Sequence, residues 1–204
     1  MKRYLEESAG DPISEFEKAS LAHLAEQYFP DKNARIMDIG PAHGKTLLFL
    51  KELGYTNLCA ADVDPTYEEF FKANGISFAE IDITAAQFLF PADSFDVVIC
   101  SHIFEHLPEP FHALGEIHRI LKKGGVLFIM VPDWQKHFRE FYNDPTHIHP
   151  YTKQGLARAL ERAEFESITV KSHGCFRGLG RIRAWQFWKG ALFTGEHIIA
   201  IAKK

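Results

Sequence analysis

The order of apolar and polar positions along the chain predicts helices that alternate with strands. Apolar residues at helical spacing predict a first amphipathic helix from Ser14 to Tyr28, with Ser14 and Glu17 as a capping box. Later helices are predicted over Thr46–Leu53, Pro65–Ala73, Glu109–Leu121 and Thr152–Ala163. Strands are predicted over Arg35–Ile39, Leu58–Ala61, Ile76–Ile81, Phe95–Cys100, Val126–Val131, Ser167–Lys171 and Glu196–Ala202. This alternation is typical of a doubly wound α/β fold with a mostly parallel sheet and right-handed crossovers.

The composition is that of a globular domain, and it narrows the choice of partners. The 204 residues, 46% hydrophobic and 25% charged, suit a single domain (1–204) with a sizeable core. A net charge of -4 argues against a general nucleic-acid binder. Cys59, Cys100 and Cys175 lack CxxC spacing and are expected to be free thiols in a reducing compartment. Residues 1–10 are polar, and no apolar run is long enough to span a bilayer, so we expect a cytoplasmic protein.

A short loop of acidic and small residues follows the first predicted strand. It reads Asp38-Ile39-Gly40-Pro41-Ala42-His43-Gly44. Doubly wound sheets bind ligands at the carboxyl ends of their strands, where small residues let the backbone approach closely. The carboxylate of Asp38 disfavours a pyrophosphate here and favours a ligand with a cationic part, such as an amino group. The spacing also departs from the GxGxxG pattern of dinucleotide sites, so the loop predicts a nucleotide-like ligand without a pyrophosphate.

Polar residues also follow the next three predicted strands, and one shared site explains them better than unrelated loops do. Asp62 ends the second strand, where a carboxylate can accept hydrogen bonds from both hydroxyls of a ribose. Asp82 follows the third strand and can bind an adenine amino group, while Ser101 and His102 end the fourth. The pattern therefore predicts that the ligand lies along the carboxyl edge of the sheet.

Three blocks of sequence stand out between residues 35 and 132, namely Ile36–Gly44, Phe95–Leu107 and Glu116–Gly125. Together they resemble the first motif, the fourth-strand motif and the next helix and turn of class I S-adenosylmethionine-dependent methyltransferases. The resemblance is to the branch with ubiquinone-biosynthesis-type and other small-molecule enzymes. It implies a Rossmann-like, seven-stranded sheet whose last strand is antiparallel, S-adenosylmethionine as cofactor and S-adenosylhomocysteine as product. One departure is Ala42, which stands where the family usually has its middle glycine.

The resemblance also implies roles for single residues. By family position, the methionine part of the cofactor falls to Asp38, Gly40 and Gly44, the ribose to Asp62, and the adenine to Asp82 and Ile83. The full predicted cofactor set is Asp38, Gly40, Pro41, Ala42, Gly44, Asp62, Val63, Asp82, Ile83, Ser101 and His102.

Histidines are the candidate catalytic groups. Methyl transfer from a sulfonium needs in-line placement and exclusion of water, and an oxygen or nitrogen nucleophile can also need a base. His106 follows the fourth strand and is either a base or a helix-capping or supporting residue. His147 and His149 lie in Asp144–Thr152, which resembles a segment of methyltransferases found with polysaccharide and lipopolysaccharide synthesis enzymes. We predict that all three histidines are catalytic and that residues 133–195 build the acceptor side.

No metal site is predicted, although His-x-His pairs with carboxylates can bind zinc. HExxH-type spacing is absent, and Pro145 and Pro150 bracket the second histidine pair in an irregular loop. His112 and His118 are expected on the exposed side of a helix.

Two further segments are expected to frame the domain. Residues 1–34 should form an amino-terminal helical cap over the cofactor or the acceptor. Residues 176–193 interleave basic and aromatic side chains at helical spacing. This stretch is expected to cover the sheet edge or an oligomer face, with an anionic glycan or a membrane surface as the second interpretation.

The predicted function is methyl transfer from S-adenosylmethionine to an oxygen of a small-molecule or glycan acceptor, with nitrogen or carbon as the less favoured atoms. Two alternatives stay open. One is a non-catalytic S-adenosylmethionine-binding scaffold or regulatory subunit, and the other is a nicotinamide-dependent oxidoreductase.

Overall fold

The structure is a computed structural model that describes Ile13, residues 15–173 and residues 197–204. The predicted capping residue Ser14, the thiol of Cys175 and the basic stretch 176–193 lie outside the described residues. So does Glu196, where the last strand was expected to begin. Cys59 and Cys100 are buried free thiols, as predicted.

Helices and strands alternate largely where the apolar pattern predicts them. The α-helices are α1 (Glu15–Tyr28), α2 (Lys45–Glu52), α3 (Glu68–Ala73), α4 (Pro110–Ile120), α5 (Trp134–His137) and α6 (Lys153–Arg162). The strands are β1 (Ile36–Ile39), β2 (Leu58–Asp62), β3 (Ser77–Glu80), β4 (Phe95–Ser101), β5 (Leu121–Pro132), β6 (Glu166–His173) and β7 (His197–Lys203). Single 3₁₀ turns cover Pro65–Tyr67, Phe104–His106 and Phe141–Asn143.

Two boundaries differ from the sequence prediction for local reasons. The predicted helix from Pro65 begins as a 3₁₀ turn, because the side chain of Asp64 accepts the amide of Thr66 and closes a tight first turn. Gly124 and Gly125 do not separate a helix from a strand. They lie inside β5, where Leu121 already pairs with Phe95 and the register shifts before Val97, so Gly124 at φ 74 takes up an irregularity in the ladder.

The described residues form a seven-stranded sheet in the order β3-β2-β1-β4-β5-β7-β6. Strands β1 to β5 pair in parallel, and β7 runs antiparallel to both β5 and β6. The order reverses next to β1, where the chain moves from one half of the sheet to the other, as in other doubly wound folds. The predicted doubly wound α/β sheet with an antiparallel last strand is confirmed.

Alternate residues of the central strands supply two apolar layers, one on each face of the sheet. Val98 and Cys100 of β4 belong to the layer under α4 and α6, whereas Val97 and Ile99 belong to the layer under α1, α2 and α3. Because both faces are covered, the central strands are apolar throughout. A charged side chain in these strands is therefore costly to bury, and its presence requires a specific explanation.

The first helix packs against the sheet face through its carboxyl-terminal end. The rings of Tyr28 and Phe29 meet Phe128 of β5 edge-on, at centroid distances of 5.9 and 5.4 Å. These contacts hold the end of α1 on the layer that also contains α2, and the expected cap over the ligand site stays a prediction. Every helix that the structure describes is too short or too polar to serve as a membrane-spanning segment.

The expectation for the two helix histidines is half right. His112 is exposed, but His118 is half-buried because its ring packs edge-on against Phe165 at 5.0 Å. Burial, and next the nearby ammonium of Lys204, lower the pKa of His118. Its place under α6 gives it a packing role.

Candidate functional site

The segments that follow the parallel strands meet at one edge of the sheet. The amide of Gly40 donates to the carbonyl of Ala61 at 2.8 Å, and the amide of Ile81 donates to the carbonyl of Asp62 at 2.9 Å. The amide of His102 donates to Met130 across to β5 at 2.8 Å. The first two bonds join the chain ends after β1, β2 and β3, and the pairing of β1 with β4 puts the end of β4 at the same edge. The structure thus brings the predicted cofactor residues to one edge of the sheet.

The loop after β1 needs its two glycines. Gly40 and Gly44 have φ values of 68° and 67°, in the left-handed region. A Cβ on Gly40 would come within 2.2 Å of the Cδ1 atom of Ile103, and one on Gly44 within 2.4 Å of the Cε1 atom of Phe71. Ile103 and Phe71 thus leave no room for a side chain at Gly40 or Gly44, and the backbone of the loop is bare at these two positions.

Ala42 takes the left-handed conformation that a glycine would take. Its φ is 47°, which costs an L-residue about 1–2 kcal/mol. The departure from the family's glycine therefore leaves the shape of the loop intact at some cost in stability. Pro41 and His43 flank it half-buried, and the His43 ring lies edge-on to Tyr67 at 5.7 Å.

Asp38 is a charged residue inside an apolar strand. It is 3% exposed, and its Oδ1 atom has no hydrogen-bond partner. Burial, reinforced by the nearby carboxylate of Asp62, raises the pKa of Asp38 to about 8. A carboxyl group held in this way is stabilised as an anion only when a cation or a set of donors reaches it.

Asp62 lies at the end of β2, two residues beyond Ala60, which pairs with Asp38. Its carboxylate accepts the amide of Asp64 at 3.0 Å, and the amides of Val63 and Ala42 also stabilise its charge. Burial outweighs these donors, so the pKa of Asp62 is raised. Val63, which follows, is 55% exposed and offers an apolar surface beside the carboxylate.

The ends of β3 and β4 complete the predicted set. Asp82 is exposed, and its Oδ1 atom accepts from the hydroxyl and the amide of Thr84 at 2.6 and 2.8 Å, which lowers its pKa. Ile83 is half-buried against the core. Ser101 and His102 are half-buried, and His102 has a φ of 57°. Asp82 is therefore already engaged within its own turn, whereas Ile83 and Ser101 line the edge.

The predicted catalytic histidines come from two separate segments, and the fold joins two of them. The rings of His106 and His147 lie 4.8 Å apart between centroids. The Nδ1 atom of His106 lies 3.1 Å from the carbonyl of Thr146, and that of His147 lies 2.8 Å from the carbonyl of Phe141. Carbonyl oxygens only accept, and the Thr146 hydroxyl, 2.9 Å from the same nitrogen of His106, gives its own hydrogen to Asp144. Each Nδ1 therefore carries a hydrogen, and Nε2 is the nitrogen that can offer a lone pair.

His149 is fixed differently. Its backbone amide and that of Ile148 both donate to the carbonyl of Glu105 at 2.9 Å, which fastens the loop to the segment after β4. The ring of His149 stacks on Tyr151 at 5.3 Å. The three histidines thus lie on one pair of linked segments, although His149 is outside the close pair.

Glu105 is a buried acidic residue at the site that the sequence prediction did not include. Among the described residues, the buried charged side chains are Asp38, Glu105 and Asp133, and Glu105 is 0% exposed. Its Oε1 atom lies 3.1 Å from the Nδ1 atom of His102, and its Oε2 atom has no partner. Burial and next the Glu105 charge raise the pKa of Tyr151, whose buried hydroxyl also lacks a partner. The available signal was an acidic residue directly after the buried Phe104, where burial has to be compensated.

Asp133 has a structural role. It is 1% exposed, its carboxylate accepts the amide of Gln135 at 3.1 Å, and it begins α5 as the capping residue.

A family model described as a methyltransferase domain matches residues 9–170. The chain belongs to this methyltransferase family. It is 26% identical over 155 residues to 2-methyl-6-phytyl-1,4-hydroquinone methyltransferase 1, chloroplastic, from Oryza sativa, with 72% of this chain and 46% of that protein covered. It is 30% identical over 105 residues to a ubiquinone biosynthesis O-methyltransferase from Xanthomonas oryzae, with 47% of this chain and 42% of that protein covered. The chain thus spans less than half the length of these relatives.

The fold has close structural neighbours as well. A crystal structure of a SAM dependent methyltransferase from Archaeoglobus fulgidus aligns with a TM-score of 0.74 at 24% identity, covering 93% of this chain and 94% of that one. The family predicted from the three sequence blocks is confirmed.

The raised pKa of Asp38 predicts an unusual pH dependence of stability. The folded protein holds this proton up to a pH of about 8, against an ordinary value of 3.8, so it binds the proton more tightly than the unfolded chain does. The free energy of unfolding should therefore fall as the pH rises from about 5 to about 8, by at most about 1.4 kcal/mol per pH unit from this group. Asp38→Asn should remove that part of the slope in denaturant unfolding.

A matched control is Asp93→Asn. The ammonium of Lys204 lowers the pKa of Asp93, so the stabilisation from this carboxylate is lost only as the pH falls below about 4, and its removal should leave the slope between about pH 5 and about pH 8 unchanged. Asparagine also tolerates the φ of 56° at this position. Identical pH profiles for the native protein and Asp38→Asn would show that Asp38 ionises normally.

Proposed function

We propose that the chain transfers a methyl group from S-adenosylmethionine to an oxygen of a small hydroxylated acceptor. The observation that carries this proposal is the buried, unpartnered carboxyl of Asp38 at the end of β1, beside a loop whose two glycines have no room for a Cβ. A ligand that places a cationic amino group at Asp38 would stabilise the anion that burial otherwise disfavours. The methionine part of S-adenosylmethionine carries such a group.

The rest of the edge fits the same ligand. Asp62 presents a half-buried carboxylate to which both hydroxyls of a ribose can donate. Val63 and Ile83 offer apolar surface to a purine ring on either side of that carboxylate. When bound, the cofactor supplies a methyl group made electrophilic by a sulfonium and leaves as S-adenosylhomocysteine. The protein's part is then to hold it in line with the acceptor and to exclude water.

The same carboxyl argues against the nicotinamide alternative. A pyrophosphate in the loop after β1 would bring two negative charges towards Asp38, whose pKa is already raised by burial and by the carboxylate of Asp62. The scaffold alternative rested on Ala42. Because Ala42 keeps the left-handed backbone, its presence gives no structural reason for a lost activity.

The acceptor side is assigned to the histidines of the linked segments after β4 and β5. The Nε2 lone pairs of His106 and His147 can take the proton that an acceptor hydroxyl loses as its oxygen is methylated. His149 is a further candidate on the same loop. The ubiquinone-biosynthesis relative is named for O-methylation, which supports oxygen as the acceptor atom and a phenolic hydroxyl as its class. A glycan hydroxyl is the alternative acceptor.

The cofactor assignment predicts tight binding that depends on Asp62. Calorimetry should detect binding of S-adenosylmethionine to the protein and no binding of NAD. Asp62→Ala should weaken the affinity by about 5- to 150-fold, the loss of hydrogen bonds worth about 1–3 kcal/mol. Asp31→Ala, at an exposed loop position, is the matched control and should bind normally. Binding of NAD in preference to S-adenosylmethionine would refute the cofactor assignment.

The acceptor assignment predicts a separate effect on turnover. An acceptor is first found by screening hydroquinones, catechols and sugars for release of S-adenosylhomocysteine. With that acceptor, His147→Ala should lower kcat about 100-fold or more and leave cofactor affinity unchanged, while the exposed His112→Ala keeps full rate. Full turnover in both His147→Ala and His149→Ala would remove these residues from the mechanism. Cofactor binding without any transfer would favour the scaffold.

A further inference from the structure

Two histidines and a carboxylate meet where the segment after β4 touches the loop before α6. Glu105, His106 and His147 each offer one ligand atom, and these atoms all lie within 4.8 Å of one another. Along the chain, His102 and His106 form one pair and His147 and His149 form another, and neither pair has the spacing of a zinc motif. The fold takes one member from each pair and adds the acidic residue next to the first.

Both histidine rings are held in the state that a metal ion requires. Each Nδ1 donates to a backbone carbonyl, at Thr146 for His106 and at Phe141 for His147. Metal-bound histidines almost always donate their other ring nitrogen to such an acceptor, which fixes the tautomer and aims the remaining lone pair. The Nε2 lone pairs of His106 and His147 are thus prepared for binding.

Glu105 supplies the independent reason to expect a cation. Its side chain is 0% exposed and one of its oxygens has no hydrogen-bond partner. The nearest basic group on its own segment is His102, which reaches only the Oε1 atom. A buried carboxylate with an unsatisfied oxygen is costly unless a cation or a proton compensates it.

We propose that Glu105, His106 and His147 form a binding site for a divalent transition-metal ion of the Zn²⁺ type. Zinc bonds to nitrogen and oxygen of about 2.0–2.2 Å place tetrahedral ligand atoms about 3.4 Å apart, so a site whose ligand atoms lie within 4.8 Å of one another has to contract by up to about 1.4 Å. Two imidazoles and one carboxylate leave an open coordination position, as in catalytic zinc sites. Asp144 is a further carboxylate beside these ligands, since its Oδ2 atom is 3.9 Å from the Nε2 atom of His147.

Ion binding does not depend on the identity of the methyl acceptor, nor on methyl transfer itself. The ion and a proton compete for the same two ring nitrogens, so metal affinity should fall as the pH is lowered towards 5. With the ion in place, His106 and His147 act as ligands, and His149 is the remaining proton acceptor of the three.

The test is titration of the EDTA-treated, dialysed protein with ZnCl₂ and CoCl₂ alone, without cofactor or acceptor. Calorimetry should give one ion per chain at neutral pH, and Co²⁺ should develop the visible absorption of a four-coordinate site. His106→Ala, His147→Ala and Glu105→Gln should each weaken binding by about 10- to 100-fold or more. Zinc should raise the Tm of the native protein and leave these variants unchanged.

Two controls keep the outcome specific. His112→Ala removes an exposed histidine whose ring also bonds a backbone carbonyl, and it should bind the ion normally. His137→Ala perturbs a second histidine group, in which the rings of His137 and His197 lie 6.4 Å apart. Circular dichroism in EDTA checks that each variant is folded. If one is unfolded, His147→Gln is tested in its place. No Zn²⁺ or Co²⁺ binding at neutral pH, or binding lost in His137→Ala and retained in His147→Ala, would overturn the proposal.

Discussion

The carboxyl of Asp38 is the constraint around which the rest of this site is arranged. It lies in the short central strand β1, between Met37 and Ile39, which are both buried in the apolar core. An anion there loses most of its hydration, which is why its pKa rises to about 8. The free protein therefore keeps a neutral acid at physiological pH, and the anion is stabilised only together with a ligand that brings positive charge.

Several features of the fold follow from placing such a group at the reversal point of the sheet. Parallel pairing of β1 with β2 and β4 brings Asp62 and Ser101 to the same edge. The left-handed turns at Gly40 and Gly44 let the chain that follows Asp38 pass close to Ile103 and Phe71, where a Cβ would clash. On the side that we predict to bind the acceptor, the carbonyl of Glu105 accepts two amides from the loop that carries His149, so the segment after β4 is fastened to that loop.

The sequence predicts the fold well because its signals are local and repeated. Apolar runs such as Phe95–Cys100 indicate strands buried on both faces, and the acid-and-glycine loop after β1 places the site at their carboxyl ends. The proximity of His106 to His147 could not be predicted, because it arises from packing between segments far apart in the chain. The burial of Glu105 and the contact of His118 with Phe165 are likewise tertiary effects, which the spacing of residues in the sequence does not predict. The start of β5 is predicted too late, at Val126 and not Leu121, because the adjacent Gly124 and Gly125 indicate a turn more often than an irregularity inside a strand.

The central claim is that Asp38 becomes ionised when the cationic end of the cofactor reaches it. Proton release on binding tests this most directly, by calorimetry of S-adenosylmethionine at pH 7 in buffers of different ionisation enthalpy. A pKa of about 8 in the free protein means that Asp38 is mostly protonated at this pH, so binding should release close to one proton, and Asp38→Asn should release far less. A binding heat that is the same in every buffer, or equal proton release from Asp38→Asn, would contradict the account.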